Sequence, residues 1–358
     1  MDALRSLANL LALPQVLLPA AGAVVLAVLR WRWPWTRRAG LGLAAVSLVA
    51  FGASLGSAPF RHRVSQPDNV AILVMLASTC FFVWLGLKQA CENDERIDGV
   101  GEPVEAPEYR EHVLSWPHLV SLELIFIVGC TAAVLVWSLL APAPLEEPAN
   151  PAVTSNPAKA PWYFLGLQEM LVYFDPWIAG VLLPGLVVFG LCAIPYLDPN
   201  PRGSGYYTLR QRPFAIAVFL FGFLVLWVVP IVIGTFLRGP NWSFFGPFEA
   251  WDVLRLDAAS TLDLSELVYV RLLGTATPTC WLWREVWGLA LLAVWFGLGP
   301  VLLGRGPLRG HRRELGSFRY HLFVFLLLAM AGLPVKMLLR WVLDLKYVLA
   351  LPEISLSI

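Results

Sequence analysis

Eight stretches of roughly twenty mostly apolar residues, the length needed to cross a bilayer as a helix, set the first limit on this chain. They run approximately over 11–29, 39–58, 69–87, 119–141, 177–197, 213–237, 286–304 and 320–341. Lipid offers no partner to an exposed backbone N–H or C=O, so each stretch is expected to be helical. Of the 358 residues, 58% are hydrophobic and 14% charged, whereas a soluble domain carries roughly a quarter charged residues. The expected fold class is therefore all-α, a polytopic membrane protein with about eight transmembrane helices. A net charge of +1 leaves no basic footprint for nucleic acid. The first stretch ends in a basic run rather than a small-residue cleavage site, and reads as a retained helix.

Charge sets the orientation. The segments 30–38, 88–118, 198–212 and 305–319 hold 15 of the 26 Lys and Arg, which assigns them to the cytoplasmic side. The segment 142–176 then faces outward, and only RHR at 61–63 runs against the pattern. Three zones follow. Residues 1–111 comprise three spans and a charged link, CENDERIDGVGEPVEAPEYRE, that reads as a solvated connector. Residues 112–237 hold three spans around a Pro- and Ala-rich linker and the aromatic run NPAKAPWYFLGLQEML. Residues 238–358 hold two spans and a long outer loop. That loop carries Trp242, Phe244, Phe245, Phe248 and Trp251 and is expected to lie on the membrane surface as an aromatic belt.

The metal-ligating residues are sparse. Cys80, Cys91, Cys130, Cys192 and Cys280 form no C-x-x-C, which disfavours covalent haem and iron–sulfur clusters. His62, His112, His118, His311 and His321 form no H-E-x-x-H, which disfavours a zinc site. His118 and His321 sit near cytoplasmic ends of spans, where interfacial hydrogen bonding is the simpler role and shared haem ligation the sharper one. Glu123 lies inside the fourth span, and intramembrane carboxylates are functional candidates. Lys336 and Arg340, four residues apart, fit a helix leaving the membrane with its basic side chains reaching for headgroups.

In the middle zone, Glu147, Pro148, Ala149, Asn150 and Pro151 form an E-P-A-N-P turn, followed by Trp162, Tyr163 and Phe164 before a short helix-like run and a span. These motifs resemble the C-terminal half of cytochrome b in quinol–cytochrome c reductases, a half that stands alone as subunit IV in photosynthetic bf complexes. The KAPWYFLGLQE form is similar to bacterial menaquinol-oxidising members with a split cytochrome b. The resemblance covers 112–237 and extends weakly beyond it; the first three spans have no counterpart in it. It implies a haem-free subunit that completes the outer quinol-oxidation site and couples electron transfer to proton translocation. It further implies a quinone, menaquinone on this motif, at shared sites. The b haems would belong to a cytochrome b N-terminal-type partner and the 2Fe-2S centre to a Rieske protein. A cytochrome c-type subunit, a dimer of the whole complex and the bacterial inner membrane complete the expectation.

Two positions depart from the family pattern. Where the family has W-P-N-D, this chain has His118 and Leu119, so the usual inner-site carboxylate is missing and His118 becomes a quinone-contact candidate. Where the family has Glu before Trp-Tyr, this chain has Pro161, which neither accepts nor donates a proton. The carboxylate of the short run is Glu169, seven residues after Trp162, close to two helical turns and hence on the same face. Glu169 is therefore the candidate proton acceptor and Tyr163 a hydrogen-bond donor to the quinol, with Trp162 and Phe164 packing the ring or the segment itself and Pro161 a further quinol-contact candidate. The rival readings are a transporter or a structural anchor subunit. Pro and Gly interrupt several spans, but no internal repeat of the transporter kind is evident.

Overall fold

The structure is a computed structural model that describes residues 2–103, 106, 112–141, 148, 150–152, 154–199, 208–256, 262–351 and 356–358. Glu147 and Ala149 of the turn, most of the link 104–111, residues 200–207 and residues 257–261 of the outer loop lie outside them. The regular structure of the described chain is helical apart from two small strand pairs, and its longer helices are α1 (Asp2–Leu11), α2 (Pro14–Arg30), α3 (Arg37–Ser54), α4 (Ala58–Val64), α5 (Pro67–Val100), α6 (Ser115–Leu140), α7 (Trp162–Met170), α8 (Ile178–Leu197), α9 (Pro213–Leu237), α10 (Val286–Arg305) and α11 (Arg309–Leu343). Among the described residues six helices are long and apolar enough to cross a membrane, or up to eight if each of two bent pairs is one span. The bent pairs are α1 with α2, at 77°, and α3 with α4, at 114°. Both breaks fall where a proline opens the second helix, Pro14 and Pro59, because proline suits a first turn and not an interior one. The all-α polytopic expectation holds.

The chain divides into two units. One comprises residues 1–24, 159–203 and 219–358, the other residues 25–158 and 204–218. In the second unit the charged link departs from expectation. Residues 91–100 form the last turns of the 34-residue α5, which ends at Gly101 with φ 85°, with Asn93 and Asp94 buried and Glu92, Glu95 and Asp98 exposed. The reason is that its charges find fixed partners. Asp94, buried, accepts from Arg32 Nη2 and from the backbone N–H of Arg210, both at 3.2 Å, while Arg210 also pairs with Asp98. The Trp-rich run closes the same corner: Trp84 Nε1 donates to the Pro34 carbonyl at 3.1 Å, and Thr36 caps α3 by accepting from the Ala39 N–H.

In the first unit, α10 and α11 pack through Leu308, Leu315, Tyr320, Val324 and Leu328, and the buried Tyr320 hydroxyl donates to the Pro300 carbonyl at 2.7 Å. Gly316, at φ 71°, breaks the helical path of α11 after its first turns. After α11, β2 (Leu345–Tyr347) pairs in parallel with β1 (Leu262–Asp263), and β3 (Ala350–Leu351) pairs antiparallel with β4 (Leu356–Ser357). Lys336 does not reach for headgroups. It is 5% exposed, and its ammonium donates to the Tyr173 carbonyl at 3.1 Å and to the carbonyl of Lys346, with that of Leu345 at 3.5 Å. A buried charge without water needs such acceptors, and the chain after the helix folds back to supply them.

The outer loop also differs from the surface belt expected of it. After α9 the chain turns at Pro240–Trp242, Arg238 bridges to Phe244, and Phe244 and Phe245 are buried in the body of the unit. Aromatic area at the end of a span goes into packing here: Phe244 packs with Ile233 and Leu237 of α9, and Phe245 lies beside Gly239 with the Arg255 guanidinium over its ring. Trp242, Phe248 and Trp251 are half-buried. The turn at Gly246–Phe248 is held by Asn9 of α1, whose Oδ1 accepts from the Phe248 N–H at 3.0 Å.

Candidate functional site

The short helix α7 lies across the last turns of α9. Two glycines let it come that close. A Cβ on Gly166 would stand 3.2 Å from Ile231 Cγ1, and one on Gly234 would stand 3.2 Å from the Leu165 carbonyl oxygen. Small residues at a crossing permit this kind of backbone approach between helices in a membrane. The face of α7 turned to the unit is formed by Leu165, Gly166, Glu169 and Met170, all buried. The segment leading into α7 is tied down as well. Lys159 Nζ donates to the Thr235 carbonyl at 2.6 Å, and the Gln168 side chain accepts from the Ala160 N–H at 2.8 Å. Pro161 occupies the N-cap position, and its carbonyl accepts from the Phe164 N–H.

Glu169 is 1% exposed and sits in a charge-paired pocket. Arg238, at the end of α9, donates to both of its oxygens, from Nε at 2.9 Å and from Nη2 at 2.7 Å. The third guanidinium nitrogen donates to the Trp242 carbonyl at 3.0 Å. The Tyr173 hydroxyl donates to Glu169 at 3.3 Å. Burial, and then the charge of Glu169, push the Tyr173 phenol well above its ordinary value, so it stays a donor at physiological pH. A two-pronged arginine–carboxylate pair of this kind is strong and directional. It joins α7 to the end of α9 and to the turn that follows.

The aromatic residues face the other way. Trp162, Tyr163 and Phe164 are 42%, 46% and 50% exposed. Their rings are neighbours, with centroids 5.7 Å apart for Trp162 and Tyr163 and 4.6 Å apart for Tyr163 and Phe164. The result is an open aromatic face on a helix whose opposite face is locked. Trp162 and Glu169 do not share a setting despite the two-turn spacing: Glu169 faces α9, whereas Trp162, the first residue of α7, stands half-exposed.

Of the residues singled out from sequence, Pro161, Trp162, Tyr163, Phe164 and Glu169 therefore meet on α7. His118 does not join them; it is exposed at the start of α6, in the other unit. His321 makes a local contact between Nδ1 and the Ser317 carbonyl, and His311 stacks on Phe323. Among the described residues no group of three or more His, Cys, Asp or Glu could hold a metal ion. Sequence reasoning missed Arg238, Tyr173 and Lys159. The signal for the first was present: Arg238 is a lone charge in an otherwise uncharged stretch from 213 to 248, as Glu169 is in its own run.

Comparison with known proteins gives one family. Residues 148–238 match the model described as cytochrome b(C-terminal)/b6/petD. The match starts in the Pro-rich turn, takes in α7, α8 and α9, and stops on Arg238. No solved structure matches the chain.

Proposed function

Because residues 148–238 match the cytochrome b C-terminal model, we propose that this chain is the haem-free, C-terminal-type cytochrome b subunit of a quinol–cytochrome c reductase. In this reading the face formed by Pro161, Trp162, Tyr163 and Phe164 is one wall of the quinol-oxidation site. The observation that carries it is the construction of α7, open and aromatic on one side and fixed by a buried ion pair and two glycine contacts on the other. A wall left open by its own chain fits a site completed by a partner. The scattered histidines support placing the b haems on that partner, an N-terminal-type cytochrome b chain, with the 2Fe-2S centre on a Rieske protein and a cytochrome c-type subunit as acceptor. The form of the aromatic motif favours menaquinol, and the setting is the bacterial inner membrane, with the whole complex a dimer that couples quinol oxidation to proton translocation.

Within that site the residues divide their work. Trp162 and Phe164 supply flat apolar area for the quinol ring. The Tyr163 hydroxyl, on the exposed face, would hydrogen-bond a quinol oxygen, the contact that proton transfer requires. Pro161 sets the start of the helix and takes no proton. Glu169 was the expected proton acceptor, but both its oxygens are engaged by Arg238 on the buried side, an arrangement that favours an anchor. The protons then leave through Tyr163 to water or to a partner-chain group.

Quinol oxidation by the assembled complex tests this division. Tyr163→Phe is expected to lower turnover roughly tenfold to a hundredfold, within reach of the range for a lost proton-transfer group, with assembly intact. Unchanged turnover in both Tyr163→Phe and Trp162→Ala would remove the wall from the site. Glu169→Gln is expected to lower stability while turnover per assembled complex stays near normal. A drop of about 10²-fold or more at full assembly would return the acceptor role to Glu169.

A further inference from the structure

At the turn between α10 and α11 an open groove of about 430 Å³ is lined by Gly304, Arg305, Arg309, Arg312 and Arg313. Gly304 makes the groove possible, since a Cβ there would stand 2.6 Å from the Tyr320 hydroxyl and 3.0 Å from Arg312 Cδ. The scaffold under it is firm: Leu308 and Leu315 are buried, Tyr320 is bonded to the Pro300 carbonyl, and the Arg312 guanidinium lies over the Tyr320 ring. Arg305, Arg309 and Arg313 are exposed, and among the described residues no carboxylate pairs with them. The neighbouring carboxylate, Glu314, is exposed. Arg319, in the same segment, is turned to the Tyr196 carbonyl at 3.5 Å.

We propose that this groove binds the phosphate headgroup of an anionic membrane lipid. Four arginines lining one groove, with no ion-pair partner for them among the described residues, call for an anion with several acceptor oxygens, and arginine forks match phosphate two oxygens at a time. The source of the phosphate follows from place. The groove closes the ends of two apolar helices, at the depth where the headgroups of a bilayer stand. Diffuse attraction of basic loops to a negative membrane depends only on the number of charges; a groove makes it depend on which arginine is removed.

That distinction is the test. The full-length chain, purified from membranes in mild detergent with whatever subunits accompany it, is titrated with phosphatidylglycerol, with phosphatidylcholine of the same acyl chains, and with inorganic phosphate. Retained lipid is counted by native mass spectrometry. Phosphatidylglycerol is expected to bind at least about tenfold more tightly than phosphatidylcholine, and Arg309→Gln and Arg313→Gln each to weaken it about fivefold. Arg319→Gln removes the same charge from the same segment and is expected to leave binding unchanged. Arg309→Lys keeps the charge and guards against a folding defect; it is expected to stay between wild type and Arg309→Gln. Equal losses for Arg309→Gln and Arg319→Gln would reduce the effect to diffuse charge and overturn the site. So would equal retention of the two lipids. Displacement of the lipid by inorganic phosphate at matched concentration would assign the groove to a soluble anion instead.

Discussion

Helices α6 and α9 are both apolar enough to cross a membrane, yet they end in opposite circumstances. In α9, 39% of the apolar window is buried inside the chain; in α6 the figure is 0%. Pro213–Leu237 carries Gly234 against Leu165 and Ile231 against Gly166. Ser115–Leu140 carries Gly129, around which nothing lies within 4 Å. Apolarity therefore reports the solvent a helix enters, and small residues and charges at its ends report whether its own chain covers it. A helix that lipid or another subunit must cover is free of internal constraint, whereas α9 is bound by α7 at every turn of their crossing.

The sharpest way to break that contrast is to remove the charge that ties α7 to α9. Arg238→Ala leaves Glu169 buried and uncompensated, a loss of about 3–5 kcal/mol, to be read as a large drop in apparent melting temperature of the detergent-purified protein. Replacing both partners, Arg238→Met with Glu169→Leu, is expected to restore most of it, since two apolar groups leave no stranded charge. If the double variant is as unstable as the single one, the pair is more than an electrostatic lock. Next in size is Gly234→Ala, whose Cβ meets the Leu165 carbonyl; overpacking of this kind costs about 1–3 kcal/mol. Its counterpart Gly129→Ala on α6 is expected to be neutral or slightly stabilising, as Ala is the better helix former by about 1 kcal/mol. Equal losses at the two glycines, measured by the same melts, would end the distinction between the helices. Smallest of all is Glu123→Gln on the exposed face of α6, expected to change stability by under about 0.5 kcal/mol in the isolated chain. A larger loss confined to the assembled complex would identify α6 as a partner-facing helix.

Much of the fold was legible because apolar length is a property of consecutive residues. The spans at 177–197 and 213–237 fall on α8 and α9 almost residue for residue. Two of the departures involve charges with partners that lie far away in sequence. Asp94 looked solvated because Arg210, 116 residues away, is invisible to a local reading. Lys336 looked headgroup-bound because its acceptors come from Tyr173 and from a strand the sequence did not announce. On α7, Trp162, Tyr163 and Phe164 stood out by their pattern, and all three are exposed. Glu169 was found too, but not its setting. Helical spacing fixes a side chain's direction and leaves open what waits there, and Arg238 is 69 residues further on.

The carbonyl cage around Lys336 has a consequence for folding. Tyr173 is synthesised long before this lysine, whereas Leu345 and Lys346 follow it. Its coordination therefore joins a segment far upstream to the strand that follows its own helix. The carbonyls of Leu345 and Lys346 belong to β2, which pairs with β1. Folding of this unit is thus expected to depend on the docking of a short strand as well as on the insertion of α11, since until β2 is in place the ammonium lacks part of its coordination.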